Sequence, residues 1–167
     1  RVEKILDRWC DYFDYTGQNS IAYPVLRYSY MYYPLAGHYG NGCFPFRAGT
    51  IPTFIEMLKA RGMNFIAIDN LYTLPELSVA PDKRDEFIAR DLLSIDVQGK
   101  PATGVWPRPN MFNDDARQMY LWHLDELIKR YGRIPGFEGL EIWTGHLVGQ
   151  DLKSGYSLKN IELFEAE

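Results

Sequence analysis

Apolar positions along the chain switch between two periods, and the switches outline alternating helices and strands. Val2, Ile5, Leu6, Trp9 and Phe13 recur at the three- and four-residue spacing of an amphipathic helix, which Thr16-Gly17 stops. Ser20 to Tyr30 reads as a buried strand holding Ile21, Val25 and Leu26, with Tyr23, Val25, Arg27 and Ser29 on one face. Thr50 then fits a helix N-cap with Pro52 in the first turn, Ile51, Phe54, Ile55 and Leu58 form the apolar face, and Gly62 is the stop. Asn64 to Asn70 is the next strand, with Ile66 and Ile68 on one face and Phe65, Ala67 and Asp69 on the other. Leu92 to Pro101 reads as a small hairpin turning near Gln98-Gly99. Asn113, followed by Asp114 and Asp115, starts a long helix with Ala116, Tyr120, Leu124, Leu127 and Tyr131 on its apolar face, ended by Gly132. Phe137 to Trp143 is the last strand, and Ser157 caps a final helix.

The same unit is spoken three times: helix, glycine, short connection, apolar strand. That order predicts a parallel sheet under helical cover. Helix-to-strand links are short, whereas the strand-to-helix links Met31–Gly49, Leu71–Phe112 and Thr144–Tyr156 are long. All the irregular material therefore collects at the carboxyl edge of the sheet, where α/β enzymes keep their chemistry. Three units are too few for an eight-stranded barrel of about 250 residues. The expected architecture is part of a (β/α)8 TIM barrel with long βα loops, residues 1–167 forming one domain cut from a larger one. A small open parallel α/β sheet is the alternative.

Composition narrows the function. A net charge of −4 with no basic run disfavours nucleic acid and anionic membrane as partners, and no apolar stretch reaches the length of a membrane span. Aromatic residues make up 15% of the chain, and many fall in the long links, where rings serve as binding platforms. Cys10 and Cys43 have no metal-ligand spacing, and no HxH, HExxH or DxDxDG pattern occurs, so neither metal nor cofactor is expected. Glycine-rich phosphate loops of the two common types are missing too.

The strand ends carry the candidate chemistry. A carboxylate inside an apolar strand is costly unless something uses it, which singles out Glu141 in Phe137-Glu138-Gly139-Leu140-Glu141-Ile142-Trp143. If the strands are parallel and in register, Arg27, Asp69 and Glu141 converge on one mouth, giving two carboxylates for acid and base or nucleophile roles. Arg27 can instead pair with Asp69 as a buried ion pair. Trp143 and Trp106 are placed to stack on a ligand, as are Tyr32 and Tyr33, and His38, Asn70, Asn110 and His146 lie on the same edge as hydrogen-bonding groups. Gly104-Val105-Trp106-Pro107-Arg108-Pro109-Asn110 holds Trp106, Arg108 and Asn110 on a stiff loop, and His123 is read as structural.

Arg27 on a first strand, Ile68-Asp69-Asn70, Pro107-Arg108-Pro109-Asn110 before a helix, Tyr131-Gly132, the Phe137–Trp143 strand and Gly155-Tyr156-Ser157 together resemble the barrel domain of glycoside hydrolases. The resemblance implies cleavage of glycosidic bonds in a poly- or oligosaccharide by a carboxylate pair, in an extracellular or periplasmic setting. It implies Glu141 and Asp69 as that pair, Arg27 as the group that orients a carboxylate, and a carbohydrate as the partner, with the remainder of the barrel supplied by further chain. Many retaining members carry Asn-Glu at the acid/base strand end; here no Asn-Glu pair exists, which leaves the second carboxylate's position open. A non-catalytic carbohydrate-binding barrel keeps the aromatic loops without a competent pair.

Overall fold

The computed structural model describes residues 2–27, 30–31, 49–69, 77, 81–101, 108–142 and 156–166, with 26–27, 30–31 and 81 described in backbone alone. Helix α1 (Val2–Tyr15) leads into β1 (Ser20–Arg27), which turns back into the short β2 (Tyr30–Met31). Next come α2 (Thr50–Ala60), β3 (Asn64–Asp69), a 3-10 turn (Pro81–Lys83), α3 (Arg84–Ala89), α4 (Asp114–Tyr131), β4 (Phe137–Ile142) and α5 (Leu158–Glu165). The sheet order is β2-β1-β3-β4, with β1, β3 and β4 parallel and β2 antiparallel on the outer side of β1. Consecutive parallel strands are neighbours, each step made through a helix. The described residues thus form the open parallel sheet that was the alternative expectation.

The helical coat lies on one face. Leu6 and Cys10 of α1, Phe54, Ile55 and Leu58 of α2, and Leu127 and Tyr131 of α4 share one apolar cluster with Ile21 and Val25 of β1 and Phe65 and Ala67 of β3. Phe137 and Leu140 of β4 pack against the same cluster. Alternation then sends Ala22, Ile66, Ile68 and Glu141 to the opposite face, where Ile66 and Ile68 are half-buried and Ala22 and Glu141 exposed. Among the described residues the coat over these sequentially ordered parallel strands is one-sided, as in a barrel wall, whereas a doubly wound sheet carries helices on both faces.

Two register shifts tune this division. Phe65 pairs with Phe137 and Ile66 with Gly139, so Glu138 is an extra residue, which lets Phe137 and Leu140, three apart, both face the helices. In β1 the shift falls between Pro24 and Leu26, leaving Val25 as the extra residue in the core. Pro24 is tolerable because β1 is an edge strand until β2 joins it at Leu26.

Gly62 has φ 75° and ends α2 in the left-handed conformation that glycine adopts without strain. At Gly136 φ is 100° and a Cβ would sit 3.0 Å from Lys59, while its carbonyl accepts a 2.7 Å bond from the Phe65 amide. Any side chain there would push α2 away from the β3–β4 pair. Across the helices, Arg61 donates to Asp7 at 2.6 Å and Asp11 at 2.9 Å, tying α2 to α1. Both carboxylates are half-exposed, so this tie contributes modestly.

Several local expectations change. Thr50 is the first helical residue of α2, the N-cap is Gly49, and no side chain caps it. α3 was not anticipated, because its six residues are too few to establish a period. The hairpin near Gln98-Gly99 is reduced to one antiparallel bridge, Ile95 to Pro101, around a turn organised by Asp96, whose Oδ1 accepts from the Gln98 and Lys100 amides. Asn113 does cap α4: its Oδ1 accepts from Asp115 N at 2.9 Å and Ala116 N at 3.2 Å, and its Nδ2 donates to the Arg90 carbonyl at 3.2 Å. Replacing Asn113 by Ala should cost about 1–2 kcal/mol and lower Tm by a few degrees in a thermal melt. A melt equal to that of the parent would show the cap to be idle.

Candidate active site

The carboxyl edge is built from the ends of β1, β3 and β4. In the parallel ladder Ile68 pairs with Glu141 and Asp69 with Ile142. Cross-strand partners share a face, so Glu141 stands with Ile68 on the side away from the helices, and Asp69 stands with Ala67 and Phe65 on the helical side. Asp69 is 1% exposed and Glu141 is exposed. The expectation that both carboxylates point into one mouth is therefore corrected. The two residues sit one step apart along the sheet and on opposite sides of it. The physical reason is parity: two adjacent in-register strands bring side chains together only from paired positions, and 69 pairs with 142.

Asn110 is likewise not presented to a ligand. It is 1% exposed, and its Nδ2 donates to the Asp91 carbonyl at 3.2 Å and to Asn160 Oδ1 at 3.3 Å. Its Oδ1 accepts from Asn160 Nδ2 at 3.1 Å and from the Phe112 amide at 3.3 Å. This reciprocal amide pair clamps the start of α5 to the approach of α4. Ser157 caps α5 beside it, accepting from the Asn160 amide at 3.3 Å. The Asn110→Ala variant removes both bonds of the buried amide pair and should cost about 1–3 kcal/mol, read as a fall in denaturant midpoint. An unchanged midpoint would mean that the pair is dispensable.

Of the remaining candidates, Arg27 is described by its backbone pairing with Tyr30 alone. Trp143, Trp106, Tyr32, Tyr33, His38, Asn70 and His146 lie outside the described residues, as does Cys43. Cys10 is free and wholly buried, and burial pushes its thiol pKa up, which fits an inert core residue.

Three further polar residues stand out: Arg108 and His123, both buried, the latter in keeping with its structural reading, and the half-buried Asp91. Arg108 is 4% exposed, and its carbonyl accepts from the Ser94 amide at 2.9 Å. His123 occupies the inner face of α4 between Tyr120 and Leu127, where a sequence reading places Leu124. The Trp122 ring meets it edge-on at 5.1 Å. Asp91 has φ 58°, a left-handed residue closing the turn after α3, and its Oδ2 is buried without a hydrogen-bond partner among the described residues. Aspartate tolerates that conformation better than most side chains, which is the one signal the sequence offered.

No family model and no curated protein matches this chain. Solved structures do. A hypothetical protein from Ruminiclostridium thermocellum ATCC 27405 superposes with a TM-score of 0.62 at 11% identity, over 96% of this chain and 82% of that one. The noncanonic maltogenic alpha-amylase AmyB from Thermotoga neapolitana superposes with a TM-score of 0.55 at 12% identity, over 98% of this chain. The fold is shared with both. The match spans 39% of the amylase chain, and at such identity the likeness concerns the fold alone.

Proposed function

We propose that this chain is part of a glycoside hydrolase catalytic domain of (β/α)8 type, cleaving glycosidic bonds of a poly- or oligosaccharide outside the cytoplasm. The observation that carries the reading is Glu141: an ionisable carboxylate one residue short of a strand's carboxyl end, exposed on the face the helices leave uncovered. The likeness to a maltogenic amylase supports it at the level of the fold. In this reading Glu141 acts as general acid or as nucleophile at an oxocarbenium-like transition state. Its partner carboxylate comes from another strand end or βα loop, since Asp69 turns to the other side of the sheet. Arg27, Trp143, Trp106, Tyr32, Tyr33, His38, Asn70 and His146 remain proposed sugar contacts. Asp69 and Asn110 support the edge from behind.

The rival is a non-catalytic carbohydrate-binding barrel, favoured by one specific observation, the failure of Asp69 and Glu141 to converge. Assaying reducing-end release from maltooligosaccharides, xylooligosaccharides and cellooligosaccharides by the parent chain and by Glu141→Gln separates the two. Turnover that depends on Glu141 supports the hydrolase. Turnover that survives the substitution removes Glu141 from the chemistry, and saccharide binding without turnover selects the rival.

A further inference from the structure

Helix α1 carries more apolar surface than its own sheet uses. Leu6, Cys10 and Phe13 pack toward the core. Beside them Val2, Ile5, Trp9 and Tyr12 recur at the same three- and four-residue steps, and these are 39%, 49%, 41% and 63% exposed. A stripe of about 100° is enough to seat a helix on a single core. α1 has a second apolar stripe alongside the first.

The charges divide in the same way. Glu3, Asp7, Asp11 and Asp14 follow one flank by helical spacing, and Arg61 of α2 reaches across to Asp7 and Asp11. Lys4 and Arg8, four residues apart, border the exposed apolar stripe on its solvent side. Both are exposed, and among the described residues neither has an ion-pair partner. α1 is thus joined to α2 through an acidic flank and presents an apolar flank with a basic border elsewhere.

The strand beneath is open on the same side. β2 pairs with β1 only at Leu26 and Arg27, so among the described residues no strand lies along the outer edge from Ser20 to Tyr23. A gap of about 590 Å³ lies between this edge and α1. Its walls include Ala22 from one face of the strand and Ile21 and Tyr23 from the other. A gap that wraps a strand edge beneath an apolar helix flank has the shape left for side chains of a neighbouring helix, ridge into groove.

We propose that the apolar flank of α1 seats one further amphipathic helix of the same barrel wall, whose apolar side covers Val2, Ile5, Trp9 and Tyr12 and whose acidic border meets Lys4 and Arg8. The proposal rests on the barrel reading of the fold and is independent of Glu141. It continues an interface already present, since α1 and α2 lie side by side in the coat and the new helix repeats that packing on the other flank. Burial of four large side chains supplies the attraction, and the two cations choose the partner. A second copy of the chain fits poorly. Two α1 helices packed antiparallel about a two-fold axis set each Lys4–Arg8 border against its own image. A lipid surface also fits poorly, because the four carboxylates of the same helix oppose anionic headgroups.

The test fuses a helix of about 14 residues, the length of α1, ahead of Arg1 through a flexible glycine–serine linker of about 15 residues. Such a linker holds the helix at roughly millimolar effective concentration, so a weak seat is still read. One version carries a leucine stripe bordered by glutamates; the other has lysines in place of the glutamates. The glutamate version is expected to shift the Trp9 indole and the Ile5 and Tyr12 amides in NMR spectra, and to slow amide exchange along α1 about tenfold. The lysine version is expected to protect α1 several-fold less, and the double variant Lys4→Glu, Arg8→Glu to reverse the preference. Ile5→Asp should abolish seating of both. Ile5 is half-exposed, so the unfused variant is expected to melt with the parent, which separates a lost seat from a lost fold. Absence of seating by both versions overturns the proposal, and so does seating that ignores the border charge. A dimer of the unfused chain that Ile5→Asp dissolves overturns it in favour of a second copy. Flotation of the unfused chain with phosphatidylserine vesicles overturns it in favour of a membrane. None of these outcomes bears on the role of Glu141.

Discussion

Replacing Glu141 by Gln should lower turnover of an accepted oligosaccharide by about 10²–10⁴-fold while leaving the melting temperature within a degree or two of the parent. The two halves of that expectation have different sources. Glutamine keeps the shape and one carbonyl oxygen of glutamate but neither ionises nor delivers a proton, so a reaction that needs either role slows by the factor typical of lost acid–base or nucleophilic assistance. Stability is spared because Glu141 is exposed, and among the described residues no hydrogen bond or ion pair ties it to its surroundings. A structural carboxylate would behave the other way round, with a shifted melt and intact turnover. Measuring kcat and Tm on the same preparations therefore decides which kind of residue Glu141 is.

Replacing Phe54 by Ala should unfold the molecule more readily than any surface change. Phe54 is 1% exposed and sits where three elements meet, with ring contacts to Trp9 of α1 at 6.2 Å, Tyr23 of β1 at 5.8 Å and Phe65 of β3 at 5.9 Å. Truncation removes the burial of a whole ring and leaves a cavity that two strands and two helices cannot close, a loss of about 3–5 kcal/mol. Against a total of about 5–15 kcal/mol for a typical domain, that is a large share, and it should lower Tm by roughly 6–20 °C. Val97, 78% exposed, supplies the control: Val97→Ala should barely move the melt. Equal melts for the two variants would contradict a core centred on Phe54.

The expected elements and the observed ones agree best where a period is long and a cap is chemical. α1, α4 and β3 were legible because apolar spacing repeats over several turns or alternates cleanly, and Asn113 and Ser157 announce helix starts by the hydrogen bonds they make. The α3 helix and the Asp96 turn were not legible, since both are short and stabilised by contacts that no local pattern records. Site geometry failed for a related reason. The faces of Asp69 and Glu141 within their own strands followed from alternation, but whether the two residues meet depends on register, and register is set between strands. The extra residues at Val25 and Glu138 shift that register by one, and nothing in the composition of either strand reveals them. Asn110 misled because a proline-rich approach suggests exposure, whereas the side chain is consumed by a buried pairing with Asn160, distant in the chain.

The most direct measurement is a backbone-amide NMR titration of the chain with maltohexaose. The carboxyl-edge account predicts concentration-dependent shifts at Ile68, Asp69, Glu141 and Ile142, clustered on the ends of β3 and β4. Carboxyl ends of the strands that stay silent while shifts appear elsewhere would contradict it and leave Glu141 without a sugar to act on.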